Sequence, residues 1–532
     1  MAAAAAAAIP NNPPAPAGPV SSSSASAVSD DGRSMQEAAS TSDVAWDSSP
    51  TWTRSEVSHL PGAHIGDKEV KFHLGNFFDI IDEPVFLSRL AQFETNAQET
   101  ARTHRLWFAE YLLVLAFGES FMVNSGPGMA PAGTAFAARA MALIPDFAQL
   151  HDEGLLSIEV LSLAALYFHS IDMRVSAFQY IGQALRLCYV EGIHRELPTE
   201  AFGERLCRRC KTLWWTVYVL DRRLSAQMGA PSSIRDEDIT AGLPWLGDDS
   251  TMAITLTLSI KLSRLLAAVV TSVYSVQEKL GTSFVKNMKA VIKNLAEVAQ
   301  EGDKVMFSRN RSAAPSRVMS AITLTYHHCI LQATRPLAMC LMKAFLEPAP
   351  LGIDREMISQ PIASLLKTSV ASALTTLKIL HSLEKQHLLE SFLPFDLEYA
   401  FSSAILLCIM QVVLPEYVTD KSWRAMADSL LVTMMGQGSV VAGLRRSELC
   451  YVDQLLAPLL PCTTTAMEED EAAMTLIDAS QSPVLSQEYQ ADAPHSWDLI
   501  IDTDLMNPDP NQLLDLAFQF GIQSETDIIG QL

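Results

Sequence analysis

Between Glu204 and Met228 apolar side chains recur at steps of three or four: Leu206, Cys210, Leu213, Val217, Leu220, Leu224 and Met228. That spacing lines one face of an α-helix. Gly229 and Pro231 then predict its end, because glycine accepts the left-handed backbone of a helix C-terminus and proline cannot continue the helix. Stretches of the same period lie at Ala101 to Gly118, Thr134 to Leu143, Ser157 to His169 and Val175 to Glu191. Beyond Met228 they continue at Leu256 to Gln277, Val318 to Phe345, Ile362 to Leu383, Leu397 to Leu414 and Ser422 to Met435. No run alternates with period two between turn signals, so no extended sheet is expected. Solenoid-type repeats are also missing. The expected fold class is all-α, an irregular multi-helix domain.

Composition divides the chain further. Residues 1–60 are rich in Ala, Pro and Ser, with too few large aliphatic residues to offset the entropy of ordering. They predict a disordered arm, and the helical domain is expected over 61–462. With 49% hydrophobic residues among 532, the chain can bury a large core. A formal net charge of -22 argues against a surface built to neutralise phosphates, so direct DNA binding is not expected. The eight cysteines, at 188, 207, 210, 329, 340, 408, 450 and 462, follow no framework spacing and predict buried thiols in a reducing compartment. The Ala run at the N-terminus leads straight into Pro10, Asn11 and Asn12, unlike a secretory signal. Ala400 to Leu414 is shorter and more polar than the roughly 20 residues that span a bilayer. An intracellular chain with no membrane partner is expected.

Three dense clusters stand in a fixed order between Val175 and Pro244. They read FQYIGQALRLCYVEGIHRE from Phe178, RRCKTLWWTVYVLDRRLSAQMGAPSSI from Arg208 and DEDITAGLP from Asp236. Gly182, Arg186, Gly192, His194 and Arg195 resemble the glycine-spaced helix and turn of the fungal-specific transcription factor family, in its middle homology region. Trp214, Trp215, Asp221 and Arg222 resemble that family's tryptophan helix. Gly229, Pro231, Asp238 and Pro244 resemble the turn that follows. A weaker likeness, Tyr326 to Pro336, suggests a helix ending in Arg-Pro. The motif core is thus 175–244, and the resemblance implies a helical regulatory domain in a nuclear protein that controls transcription.

These residues have structural readings that need no substrate. Asp221 beside Arg222, and within reach of Arg186 or Arg195, predicts an ion pair. Trp214 and Trp215 point about 100° apart on a helix, toward core and neighbour. His194 follows a helix C-terminus, where the dipole favours an imidazolium. Cys207 and Cys210 form a CxxC pair inside a helix, without a second pair at ligand spacing, so neither zinc nor redox chemistry is expected. Arg205, Arg208, Arg209 and Lys211 read as a solvated or ion-paired helix face in preference to a nuclear-localisation patch.

Members of the family usually carry a zinc binuclear cluster, which needs six cysteines within about 30 residues. The first cysteine here is Cys188, and no stretch of the sequence has that spacing. Three explanations stand open: a regulator acting through a DNA-bound partner, a gene model lacking its first exon, or a relative that has left transcription. From residue 463 the chain mixes acidic with bulky apolar residues, and no Lys or Arg follows Arg446. Trp497, Leu505, Leu513, Leu516 and Phe520 are the expected anchors of an activation segment that folds on the transcription machinery. A solubilising tail is the alternative. No GxSxG, HExxH or phosphate-loop motif is present. Asp248-Asp249 and Asp236-Glu237-Asp238 lack the helical third carboxylate of a magnesium diphosphate site, and Gly436 to Gly443 lacks a preceding strand. No enzyme, cofactor or metal is expected. The reading is a transcriptional regulator or coactivator of a metabolic or secondary-metabolite gene cluster, with a DNA-binding transcription factor as partner and a small-molecule inducer. The alternative is a helical ligand-binding or scaffold protein outside transcription.

Overall fold

The structure, a computed structural model, describes residues 70–75, 78–123, 131–231, 233–244, 251–273, 290–291, 293–298, 300, 317–346 and 360–460. It is all-α: among the described residues there is no strand. The first part runs through α1 (Glu83–Thr95), α2 (Ala97–Thr103), α3 (Arg105–Met122), α4 (Thr134–Leu143), α5 (Leu155–Ser170), α6 (Arg174–Glu191) and α7 (Glu204–Met228). α8 (Thr251–Val273) leads to α9 (Arg317–Leu346), α10 (Gln360–Lys385), α11 (Pro394–Val413), α12 (Trp423–Gly436) and α13 (Val440–Leu456).

Three apolar cores organise these helices. In the N-terminal lobe, α5 packs on α3 and α6, and α6 packs on α7. Every residue of α5 from Ser157 to Tyr167 is buried, which identifies it as the central helix of that lobe. Its serines return their hydroxyls to the backbone, as Ser162 does to the Ile158 carbonyl at 2.7 Å, so burial leaves these donors bonded. The C-terminal lobe packs α10 through α13 around Leu377, Leu407, Met410, Trp423 and Met434. α8 joins the lobes: its Leu258, Leu262 and Val269 meet Tyr326, Cys329 and Ile330 of α9 in the third core.

The predicted helices appear with shifted ends. Thr134–Leu143 and Glu204–Met228 keep their expected bounds. The helix expected from Ala101 starts at Arg105, because a break at His104 separates it from α2. α1 was not anticipated. Nor was α13, where Gly436 to Gly443 is a helix-to-helix turn: Gly438 is left-handed (φ 94°) and the Ser439 hydroxyl caps α13 by accepting from Ala442 N. Pro336 lies inside α9 and does not end it. The expected single apolar face of α7 is also corrected. Leu213 to Arg222 are all buried, whereas Leu206 and Met228 at the ends are exposed.

Two helices, Met252–Thr271 and Pro394–Val413, are long and apolar enough to cross a membrane by length and composition, so the expectation that the second was too short is overturned. They are 67% and 72% buried against other helices, which is how an interior helix of a helical core meets the same criterion.

α3 and α4 cross at Gly133, which has φ 79°. A Cβ there would lie 2.3 Å from the Ala116 carbonyl oxygen and 2.8 Å from its Cα, so both backbone strain and a backbone clash oppose any side chain. At Gly203, also φ 79°, a Cβ meets nothing within 4 Å. Gly133→Ala is therefore expected to destabilise the fold by more than Gly203→Ala, with the latter costing about 1 kcal/mol from strain alone. Urea denaturation midpoints of the two variants check the order.

Candidate functional site

The motif residues form a clasp. α6 ends at Gly192, left-handed at φ 72°, and the chain turns through His194 and Glu196. The segment after α7 returns across that turn: the Thr240 and Ala241 amides donate to the His194 carbonyl at 3.3 and 3.2 Å, and Gly242 N donates to Glu196 Oε2 at 2.7 Å. Lys211 reaches Glu196 at 2.8 Å, and together with the Gly242 amide it holds this carboxyl below its ordinary range. From α7, Trp215 Nε1 donates to the Gly242 carbonyl at 2.9 Å. Tyr218 OH and Arg222 Nη2 both donate to Asp236 Oδ1, at 2.7 and 2.8 Å. Burial pushes the Tyr218 phenol up to about 12, so it remains a donor.

The remaining predicted residues support this clasp from its edges. Gly229 ends α7 at φ 63°. Arg186 is exposed and donates to the Gly182 carbonyl one turn back. Pro231 and Asp238 are exposed, and Pro244 is half-buried. Trp214 and Trp215 diverge as expected, the first toward Tyr189 and His194 and the second toward Gly242, and both are fully buried.

Several expectations are corrected. Asp221 is fully buried but makes no ion pair, and neither carboxylate oxygen has a hydrogen-bond partner. Arg222 turns instead to Asp236 and the Ile234 carbonyl. Burial pushes Asp221 up to about 6, against the pull of Arg222 and Arg186. His194 is not an imidazolium site: burial first and Arg195 second push it down, and Arg195 Nε donates to its Nε2 at 3.2 Å. The thiols are not uniformly buried, since Cys450 is exposed and Cys340 half-buried.

Cys207 and Cys210 lie within α7 as expected, and burial pushes Cys210 up to about 11, which suppresses the thiolate needed for metal or redox chemistry. In the basic run, Arg205 pairs with Asp82 and Arg208 with Glu204. Arg209 is the unexpected member: its head is buried against Glu159 at 2.8 Å and against the Asp79 carbonyl, pinning α7 to the central helix α5. Trp497, Leu505, Leu513, Leu516 and Phe520, like residues 1–60 and Asp248-Asp249, lie outside the described residues.

A cavity of about 370 Å³ lies where the three cores meet. Phe78 and Leu393 reach it from the N-terminal core, Leu389 and Tyr399 from the C-terminal core and Ile322 from the bridge. Its carboxylates are neutralised. Asp396 takes two bonds from Arg317 at 3.0 and 2.9 Å. Glu390 meets His73 at 2.5 Å and accepts from the Phe392 and Leu393 amides; burial would raise its carboxyl, but the His73 bond prevails and holds it below the ordinary range. Arg223 of α7 donates to Thr325 Oγ1 at 3.0 Å and lies over the Phe395 ring at 5.0 Å. Sequence analysis gives no role to Arg223, the residue after Arg222. It passed over Glu390 to Asp396, whose only signal was two acids within an apolar run.

The fold and the clasp define the chain as carrying an α-helical domain stitched by its own motif residues. Residues 71–300 match the family model described as fungal specific transcription factor domain. It is 23% identical over 296 residues to an uncharacterized transcriptional regulatory protein of Schizosaccharomyces pombe, covering 53% of this chain and 35% of that protein. A negative regulator of pleiotropic drug resistance of Candida glabrata is 24% identical over 182 residues, and a transcriptional activator protein of Neurospora crassa is 27% identical over 173; each match covers 32% of this chain and 18% of the relative. The chain thus spans about a third or less of the length of these relatives. No solved structure matches it.

Because Asp221 is raised in the folded chain, its contribution to stability is complete below the ordinary aspartate range and is lost as the pH rises through about 6. Asp221→Asn, which cannot ionise, is therefore expected to gain about 1–3 kcal/mol relative to the parent at pH 8 and little at pH 4. Chemical denaturation at the two pH values checks the sign.

Proposed function

We propose that the chain is a transcriptional regulator that acts in the nucleus through a DNA-bound partner. Its helical domain serves as the sensing module and its acidic C-terminal segment as the contact with the transcription machinery. The match of residues 71–300 carries this reading, and two of the relatives, one named as a transcriptional regulatory protein and one as a transcriptional activator protein, support it. The clasp agrees with it: the polar groups of Trp215, Tyr218, Arg222 and Glu196 are spent on Asp236, on Lys211 and on backbone, as those of structural residues are. A net charge of -22 suits partner-mediated recruitment better than direct phosphate contact. The targets we infer are genes of a metabolic or secondary-metabolite cluster, with a small-molecule inducer received in the cavity between the lobes. That cavity falls within the size range of small-molecule sites, roughly 300–1,000 Å³.

Tethering tests this. The full chain fused to a heterologous DNA-binding domain is expected to change reporter output. Replacing Trp497, Leu505, Leu513, Leu516 and Phe520 by Ala is expected to abolish the change. An inert fusion, together with exclusion of the tagged chain from the nucleus, would move the reading to a ligand-binding or scaffold protein outside transcription.

A further inference from the structure

Arg223 supplies what the cavity has in excess. Its guanidinium carries five donors. One bonds Thr325, and no carboxylate among the described residues pairs with the group. The acids that line the cavity are committed elsewhere, Asp396 to Arg317 and Glu390 to His73. The next acid along α11, Glu398, is bound by His169 and Gln227. Thr325 in turn has no capacity left for a ligand. Its hydroxyl donates to the Ala321 carbonyl at 2.8 Å, accepts from Arg223 and meets the Tyr399 hydroxyl at 3.0 Å. The threonine therefore props Arg223 from one side while Phe395 covers a face of it.

Among the described lining residues, Arg223 is the arginine without a carboxylate partner, and much of the wall near it is apolar, formed by Phe78, Ile322, Leu389, Leu393 and Phe395, with Ser259 and His387 as further polar members. A cationic ligand would find no free acid. A neutral apolar ligand would strip water from the guanidinium and return nothing, which is costly for a charge. An inorganic anion would leave the apolar side chains Phe78, Ile322, Leu389, Leu393 and Phe395 uncovered. A single carboxylate on an apolar body satisfies both parts of the site.

We propose that the cavity binds a small organic monocarboxylate, its carboxylate held by Arg223 and its hydrocarbon body lying against Phe78, Ile322, Leu393 and Phe395. This rests on the reading of the cavity as the inducer site and names the chemistry of the inducer. Because Arg223 belongs to α7 while the opposite wall comes from α9 and the start of α11, the acid bridges the two lobes and favours the arrangement that holds them together.

The test is calorimetric titration of the full chain with octanoate, decanoate and phenylacetate, each beside its primary amide. At least one acid is expected to bind, with its amide weaker by about tenfold or more, the cost of one charge-assisted contact. Arg223→Gln is expected to erase the difference between acid and amide. Thr325→Val, which keeps the charge and removes its prop, should weaken the acid but preserve its advantage. Ala321→Phe, which fills the cavity, should abolish binding of either form, and circular dichroism of each variant separates lost binding from lost folding.

Amides that bind as tightly as acids, with both lost in Ala321→Phe, overturn the carboxylate and leave the inducer cavity standing. Acids that bind Arg223→Gln or Ala321→Phe as they bind the parent place the site elsewhere and overturn the proposal. If neither acids nor amides bind, the proposal and the inducer reading fall together.

Discussion

A helix with Arg209, Asp221, Arg222 and Arg223 along its length is a poor candidate for the middle of a hydrophobic core, yet α7 lies there, buried through the ten residues from Leu213 to Arg222. A charge taken from water costs several kcal/mol unless another group receives it, so the placement of α7 depends on where each head group goes. Arg209 is received by Glu159 of α5 and Arg222 by Asp236 of the returning loop. Each pairing ties α7 to a different element, one to the central helix and the other to the clasp. The rest of the N-terminal lobe is arranged around these two anchors. Asp221 has no such receiver, and the fold accommodates it by shifting it toward its neutral form.

The same logic explains what could be read in the sequence. Apolar period and end signals suffice for α4 and α7, whose bounds depend on Gly133 before one and on Gly203 and Gly229 around the other. They fail for α1 and α13. α1 buries only Phe86, Leu90 and Phe93, and α13 keeps Leu444, Tyr451 and Leu455 exposed, so neither shows a continuous apolar stripe. The clasp residues lie close in sequence, within the motif core, and a turn can join them. Partner choice was not legible: Asp221 and Asp236 are equally plausible receivers for Arg222 on paper. Only the return of the loop after Gly229 brings Asp236 to 2.8 Å, while Asp221, immediately before Arg222 on the same helix, projects to another face.

The cavity was less legible still. Its residues come from separate parts of the chain, His73 and Phe78, Arg223, Ser259, Arg317 to Thr325, and His387 to Tyr399, and no local window contains two of these groups. It exists because three cores built from different helices meet without merging. The segment from Leu388 to Asp396 closes the junction. Its backbone is held by its own acids, Glu390 accepting from the Phe392 and Leu393 amides and Asp396 from Glu390 N. That self-bonding lets an irregular segment sit buried between lobes, where free amides would be costly.

The clasp and the cavity share α7, and their chemistry differs within three residues of it. Arg222 is spent on Asp236 and ties α7 to the returning loop. Arg223, one position on and therefore about 100° around the helix, turns out of that lobe toward α9 and Phe395. One helical step thus separates a guanidinium that fixes the fold from one held against the facing lobe by a threonine and a ring. The sensing role we propose needs both kinds of group, one to hold a lobe and one to meet a ligand at its boundary. Adjacent positions on a single buried helix bring them close together without letting either take the other's partner.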